Sequence, residues 1–294
     1  MKTDASARLA PDGMAAAEGF RSILCPTDLS PAAAHATSHA VALAAALGGR
    51  VTLYHAVEML DHRYPHWNFE ESAASWRQAE REATRALEQY ALAHSGVQVA
   101  VERVSSVPLA IVEMVMRQRP DLLVVGTRGR SGLRHLFLGS VAEDIVRAVN
   151  VPTICVREPA VVPYRRILVT TDFSPASARA FPVAGRLAEL FGAAILAVHV
   201  APPQATAAAL GFPVPAPVTE ASLWSFLKPS FPDTAVTPHV HTGRVAERIV
   251  QVAEVEGADL IVMSTRGHDS LSDSIVGSTT ERVLRHAACP VLVV

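Results

Sequence analysis

A chain of 294 residues, half of them hydrophobic (50%), holds enough material for about two domains, each with its own core. Its 26 basic and 28 acidic residues leave a net charge of −2 with no basic stripe, which argues against a nucleic-acid surface. The longest apolar runs, such as Ala40 to Leu47, fall far short of the ~20 residues of a membrane span, so no membrane role is expected.

The elements can be read in chain order. Residues 1–20 carry Lys2 and Arg8 without a continuous apolar stretch, so they read as a disordered tail rather than a secretory signal, and the protein as cytoplasmic. Ser22 to Pro26 is a short buried strand. Thr27-Asp28-Leu29-Ser30-Pro31 then turns into a helix, with Ser30 as N-cap and Pro31 at the first helical position. The Ala-rich helix from Ala32 to Leu47 stops at Gly48-Gly49. A strand at Val51 to Val57, a long helix from Glu70 to His94, a strand at Val97 to Val104 and a helix from Pro108 to Arg119 follow. The strand Asp121 to Val125 runs into a glycine-bearing loop, and Gly139-Ser140 opens a helix over Val141 to Val149, before a last strand at Thr153 to Val156. Strands alternating with helices at this rhythm predict a parallel sheet covered on both faces.

The pattern then starts again. Arg166 to Pro175 repeats Ser22 to Pro31, so that Asp172 answers Asp28 and His199 answers His55; further on, Asp259 answers Asp121 and Gly277 answers Gly139. Whole-domain repetition implies a duplicated unit packed as an internal pseudo-dimer. The expected organisation is a tail at 1–20, domains at 21–157 and 165–294, and a stiff linker at 158–164 carrying Pro159 and Pro163. In the second copy, Pro202 to Pro232 replaces the long helix with an irregular lobe, because Pro213, Pro215 and Pro217 forbid a continuous helix.

In an open parallel sheet, ligands gather beyond the C-terminal strand ends at the topological switch point. Those ends bring Pro26, Thr27 and Asp28 toward Gly126, and the start of the next helix offers free N–H groups to an anion. The spacing Gly126-x2-Gly129-x9-Gly139-Ser140, with Arg128 between the first two glycines, recurs as Ser264, Gly267 and Gly277-Ser278. Asp28 suits a ribose hydroxyl; its competing role is to brace the helix that follows.

This spacing, together with the strand-terminal Thr-Asp, resembles the universal stress protein family in its tandem form, over roughly 21–157 and 165–294. The resemblance implies two Rossmann-like or flavodoxin-like α/β domains, each a five-stranded parallel sheet with helices on both faces. It implies that nucleotide-binding members hold ribose at Asp28, read adenine through the backbone at Ala56, set Gly126 against the ribose, and cradle phosphates with Gly129, Gly139, Ser140 and Val141. ATP, with Mg²⁺, is the expected ligand. In the second copy the corresponding residues are Thr171, Asp172, Val200, Ser264, Gly267, Gly277, Ser278 and Thr279. Only Ser264 departs, and a side chain there crowds the ribose or demands an altered turn.

Charge separates the copies too. Arg130 and Arg134 lie between Gly129 and Gly139, whereas Asp269 and Asp273 lie between Gly267 and Gly277. Unit charges about 4 Å apart interact by roughly 1 to 4 kcal/mol between bulk water and a protein surface, so the first domain is predicted to bind a nucleoside triphosphate better than the second. The competing reading is that these side chains point into solvent and are screened within about 8 Å. Among enzyme classes, a P-loop is excluded because neither lysine, Lys2 or Lys228, follows a glycine. No Gly-x-Ser-x-Gly elbow occurs, and the nearest acid, Glu143, sits one turn into a helix. A dedicated enzyme is not expected; slow ATP hydrolysis through positioning is the weakest alternative. The other alternative is a protein-interaction module with empty sites, docking an unknown protein partner through Pro202 to Pro232. A further homodimer is compatible with either.

His55, His62 and His66, and His239 and His241, fall close enough in sequence to serve as zinc ligands, but no HExxH or CxxC spacing supports a metal site. Cys25, Cys155 and Cys289 form no CxxC pair and read as buried free thiols.

Overall fold

The computed structural model describes residues 19–59, 69–127, 139–202, 217–265 and 276–294. The expected tail therefore lies almost wholly outside the described residues. In the first half the chain runs β1 (Ser22–Pro26), α1 (Pro31–Leu47), β2 (Arg50–Glu58), α2 (Phe69–Leu92), β3 (Val97–Val104), α3 (Val107–Gln118), β4 (Leu122–Gly126), α4 (Ser140–Ala148) and β5 (Thr153–Val156). The second half repeats this as β6 (Arg166–Thr170), α5 (Pro175–Ala178), α6 (Ala180–Phe191), β7 (Ala194–Ala201), α7 (Glu220–Leu227), β8 (Val236–Thr242), α8 (Val245–Val255), β9 (Leu260–Met263), α9 (Ser278–His286) and β10 (Val291–Val293).

Local signals set the helix ends. Ser30 Oγ accepts from the Ala33 N–H, Pro31 fixes the first helical φ, and Gly48 closes α1 in the left-handed conformation at φ +63°. Gly49 is needed for a different reason: a Cβ there would sit 2.6 Å from the Arg21 carbonyl, inside the turn that feeds β2.

The two five-stranded sheets are continuous, in the order β3-β2-β1-β4-β5-β10-β9-β6-β7-β8. Pairing is parallel within each half, and the halves meet edge to edge through antiparallel β5 and β10, with Val291 opposite Cys155 and Val293 opposite Thr153. The C-terminal strand ends of the two halves therefore face opposite edges of the sheet. One face carries α1, Leu87 of α2, α6 and α7, and the other α3, α4, α8 and α9. At the other end of the strands, the Asp121 carboxylate accepts from the N–H groups of Arg21 and Ser22 at 3.0 and 2.9 Å, and Asp259 does the same for Arg165 and Arg166.

One expectation needs correction and another needs adding to. The stretch 202–232 is not wholly irregular, because α7 forms within it. Thr219 and Ser222 build a capping box just after the prolines, and Leu223 and Leu227, one turn apart, are fully buried. Residues 203–216 lie outside the described residues. The linker, too, is more than a spacer: Tyr164 is buried, its hydroxyl is 2.7 Å from Nε2 of His39 in α1, and its ring meets Phe191 of α6 edge-on at 5.5 Å. The linker thereby pins one half to the other. Burial holds His39 down at about 4, so the ring is neutral at this joint.

Cys25 and Cys155 are buried as expected, whereas Cys289 is only half-buried. Desolvation pushes all three thiols up to about 12, which keeps them protonated and poorly nucleophilic.

Candidate nucleotide site

The site is built where β1 and β4 lie side by side, Ile23 beside Leu122 and Leu24 beside Leu123, with their C-terminal ends on one edge. Beyond β1, the Thr27 N–H bonds to the Tyr54 carbonyl at 2.8 Å, and Leu29 adopts φ +61°. A left-handed leucine is uncommon and costs roughly 1–2 kcal/mol, so it needs support. Thr27 Oγ1 accepts from the Leu29 N–H at 3.2 Å, and Asp28 Oδ1 accepts from the Ser30 N–H at 3.0 Å. Asp28 thus does brace the helix start, the competing role considered for it. His55 reinforces the turn from β2: its Nδ1 lies 2.8 Å from the Thr27 carbonyl. A carbonyl only accepts, so the proton is on Nδ1. His199 holds the Thr171 carbonyl in the same way at 2.9 Å, which gives both histidines a structural task.

Beyond β4, the Thr127 N–H bonds to the Val156 carbonyl and the Gly139 N–H bonds to the Thr127 carbonyl, at 3.1 and 3.0 Å. This second bond ties residues 127 and 139 together in a neck. A Cβ on Gly139 would lie 3.2 Å from the Thr127 oxygen, tighter than ordinary contact, so glycine suits the neck even though its φ of −57° is unexceptional. Gly139 offers no side chain to cap α4, and Ser140, the first helical residue, is exposed. A helix start left uncapped by its own N-cap is a natural seat for an anion. Glu143 in the first turn is paired with Arg147, which offsets its charge there.

The structure therefore brings Pro26, Thr27, Asp28, Ala56, Gly126, Gly139, Ser140 and Val141 to one edge. Arg128, Gly129, Arg130, Arg134, Gly267, Asp269, Asp273, His62 and His66 lie outside the described residues, and with them the charge contrast read between the loops. Among the described residues, no group of three or more His, Cys, Asp or Glu side chains could hold a metal ion.

The second copy repeats the frame and fills it differently. Phe173 takes Leu29's left-handed role at φ +63°, with Thr171 Oγ1 and Asp172 Oδ1 accepting from Phe173 and Ser174. The Gly277 N–H bonds to the Thr265 carbonyl at 2.8 Å. Ser264 is 6% exposed, and its carbonyl accepts the Thr280 hydroxyl at 3.0 Å, where the first half has Ala142. The Thr171 and Ser177 hydroxyls bond at 2.9 Å, and the Ser174 hydroxyl donates to Asp172. Phe173 packs edge-on to His199 at 4.8 Å and meets Phe226 of α7 at 5.0 Å, whereas Leu29 is 41% exposed. Val200 is buried where Ala56 is half-buried. Ser278 and Thr279 open α9 from Gly277 as Ser140 and Val141 open α4.

Sequence reasoning passed over Thr127. The signal was available, since Gly126-Thr127 and Ser264-Thr265 occupy the same place in the repeat.

A family model described as the universal stress protein family matches residues 19–157 and again 163–294. The chain belongs to the universal stress protein family, in tandem form. A universal stress protein of Mycobacterium tuberculosis is 27% identical over 260 residues, covering 83% of this chain and 86% of that protein. The crystal structure of a universal stress protein from Archaeoglobus fulgidus superposes with a TM-score of 0.68 at 22% identity, over 93% of this chain and 98% of that one, a likeness of fold. Another family structure, solved in complex with cAMP, is 25% identical, covers 45% of this chain and 96% of its own, and has a TM-score of 0.34.

Proposed function

We propose that the first half binds an adenine nucleotide, ATP with Mg²⁺, and that the protein is a cytoplasmic regulator of the stress response whose surface or partner choice follows nucleotide occupancy. In this reading, residues 21–157 form the binding domain, and residues 165–294 a second domain whose own site is weaker. The observation that carries it is the meeting of three features at the adjacent ends of β1 and β4: the braced Asp28 turn, the Gly139–Thr127 neck and the uncapped start of α4. A carboxylate beside a helix N-terminus suits a molecule with hydroxyls at one end and phosphates at the other, since the carboxylate accepts while the helix start donates. The cAMP complex matches this chain over 96% of its own length; its ligand is a property of that protein, and here it only adds cAMP to the nucleotides worth titrating.

The test is calorimetric titration of the full chain with Mg-ATP, AMP, cAMP and adenosine, beside the Gly139→Asp variant. Saturable binding by the wild type that is lost in the variant supports the reading. Absence of binding by a folded wild-type chain for every nucleotide would overturn it.

A further inference from the structure

Thr127 and Thr265 occupy equivalent places, each just beyond a strand end. Each N–H bonds to the carbonyl of the neighbouring strand's end, Val156 at 3.1 Å and Val294 at 3.0 Å. Each carbonyl accepts the N–H of the glycine that opens the next helix, at 3.0 and 2.8 Å. With the backbone so alike, each hydroxyl has a main-chain oxygen in the same place, that of Val156 in one half and that of Val294 in the other. Thr265 takes it, its Oγ1 donating to the Val294 carbonyl at 3.3 Å. Thr127 does not: the residue is 4% exposed, and among the described residues its Oγ1, shut off from solvent, has no hydrogen-bond partner.

A buried hydroxyl without a partner carries its full desolvation penalty, so it marks either strain or a site for something else. Its position favours the second. Side chains alternate along β4, so Thr127 follows Val125 onto the face where Val125 packs with Ala142 and Ile145 of α4. Its own carbonyl holds Gly139, the residue before that helix begins.

We infer that Thr127 is a ligand-binding residue, its hydroxyl donating to a phosphoryl oxygen held at the start of α4. This rests on the nucleotide reading above and adds to it a donor that the glycine spacing does not reveal. Phosphoryl oxygens only accept, which matches a hydroxyl that has a proton to give. A donor already stripped of water loses nothing more when the ligand arrives, so its hydrogen bond to an anion counts nearly in full. Thr265, already bonded to Val294, offers no such donor to the second site.

The experiment compares Thr127→Val, Thr127→Ser and Thr265→Val by thermal unfolding without ligand and by calorimetry with Mg-ATP and adenosine. Thr127→Val, nearly isosteric, is expected to unfold at a temperature equal to or above the wild type's, to bind Mg-ATP about tenfold more weakly, and to bind adenosine unchanged. Thr127→Ser should keep the wild-type affinity for Mg-ATP. Thr265→Val should unfold at a lower temperature and bind Mg-ATP as the wild type does. If the wild type binds Mg-ATP and Thr127→Val binds it equally well, the inference is overturned and the nucleotide reading stands. If Thr127→Val unfolds at a lower temperature than the wild type, the hydroxyl is used within the protein and the inference is overturned as well. A wild type that binds no nucleotide overturns both.

Discussion

The two halves share one frame and differ in what their polar groups do. In the second half, Thr265 bonds to Val294, Thr280 to the Ser264 carbonyl, Thr171 to Ser177 and Ser174 to Asp172. In the first half, Ala142 stands in place of Thr280, and Thr127 keeps a buried hydroxyl without a partner among the described residues. The aromatic layer differs in the same direction, since Phe173, His199 and Phe226 pack together where Leu29 remains 41% exposed. A site that satisfies itself gains stability and loses donors for a ligand; a site that leaves a donor over keeps one for binding. Duplication thus supplies a control within one chain, because each feature of the first site can be judged against a twin that has the same backbone.

The largest expected effect breaks the comparison at its glycines. Gly139→Asp sets a carboxylate at the start of α4, and repulsion of roughly 1 to 4 kcal/mol per phosphate charge should lower Mg-ATP affinity at least tenfold. Gly277→Asp should change it little. Equal losses from the two variants, measured by calorimetry, would show that both sites bind.

A second prediction concerns the joint. His39 is held near 4 in the folded protein against 6.5 when exposed, so the folded state resists a proton that the unfolded state accepts. Its contribution to stability is therefore complete above about pH 6.5 and is lost as the pH falls from there toward 4, in total about 3 kcal/mol. Denaturant unfolding at pH 7 and pH 4.5 should show this slope, and His39→Gln should flatten it. An unchanged slope in the variant would move the acid sensitivity elsewhere.

A smaller effect sharpens the account of the second half. Thr280→Val leaves the Ser264 carbonyl without that hydroxyl, and should cost about 1 to 3 kcal/mol in denaturant unfolding without altering Mg-ATP affinity. The smallest concerns the thiols: with all three pushed up to about 12, Cys25 and Cys155 should react with a disulfide reagent at pH 8 only as fast as the protein unfolds. Prompt labelling of both in the native protein would contradict their burial.

Much of the fold was legible in the sequence, for local reasons. Ser30, Pro31 and Gly48 mark the ends of α1 through the N–H and φ requirements of any helix, and the convergence of Asp28 with Gly126 follows from a parallel sheet's switch point. What stayed hidden depends on distant partners. Thr153–Val156 and Val291–Val293 are short apolar runs whose composition does not say that they pair with each other. Tyr164 read as the end of a linker because its partner His39 lies far away in the chain. Pro213, Pro215 and Pro217 hid α7, whose cap and buried leucines begin just beyond them. Thr127 was missed because the residue type tells only that a hydroxyl is present, while its lack of a partner is a matter of rotamer and surroundings.

The most direct test of the central claim is to denature the purified protein, remove the polypeptide, and identify and count the nucleotide bound per chain after saturation with Mg-ATP and removal of the excess. One adenine nucleotide per chain, abolished by Gly139→Asp and retained by Gly277→Asp, is the predicted result. Two per chain, or one that survives Gly139→Asp, would contradict the assignment of binding to the first half.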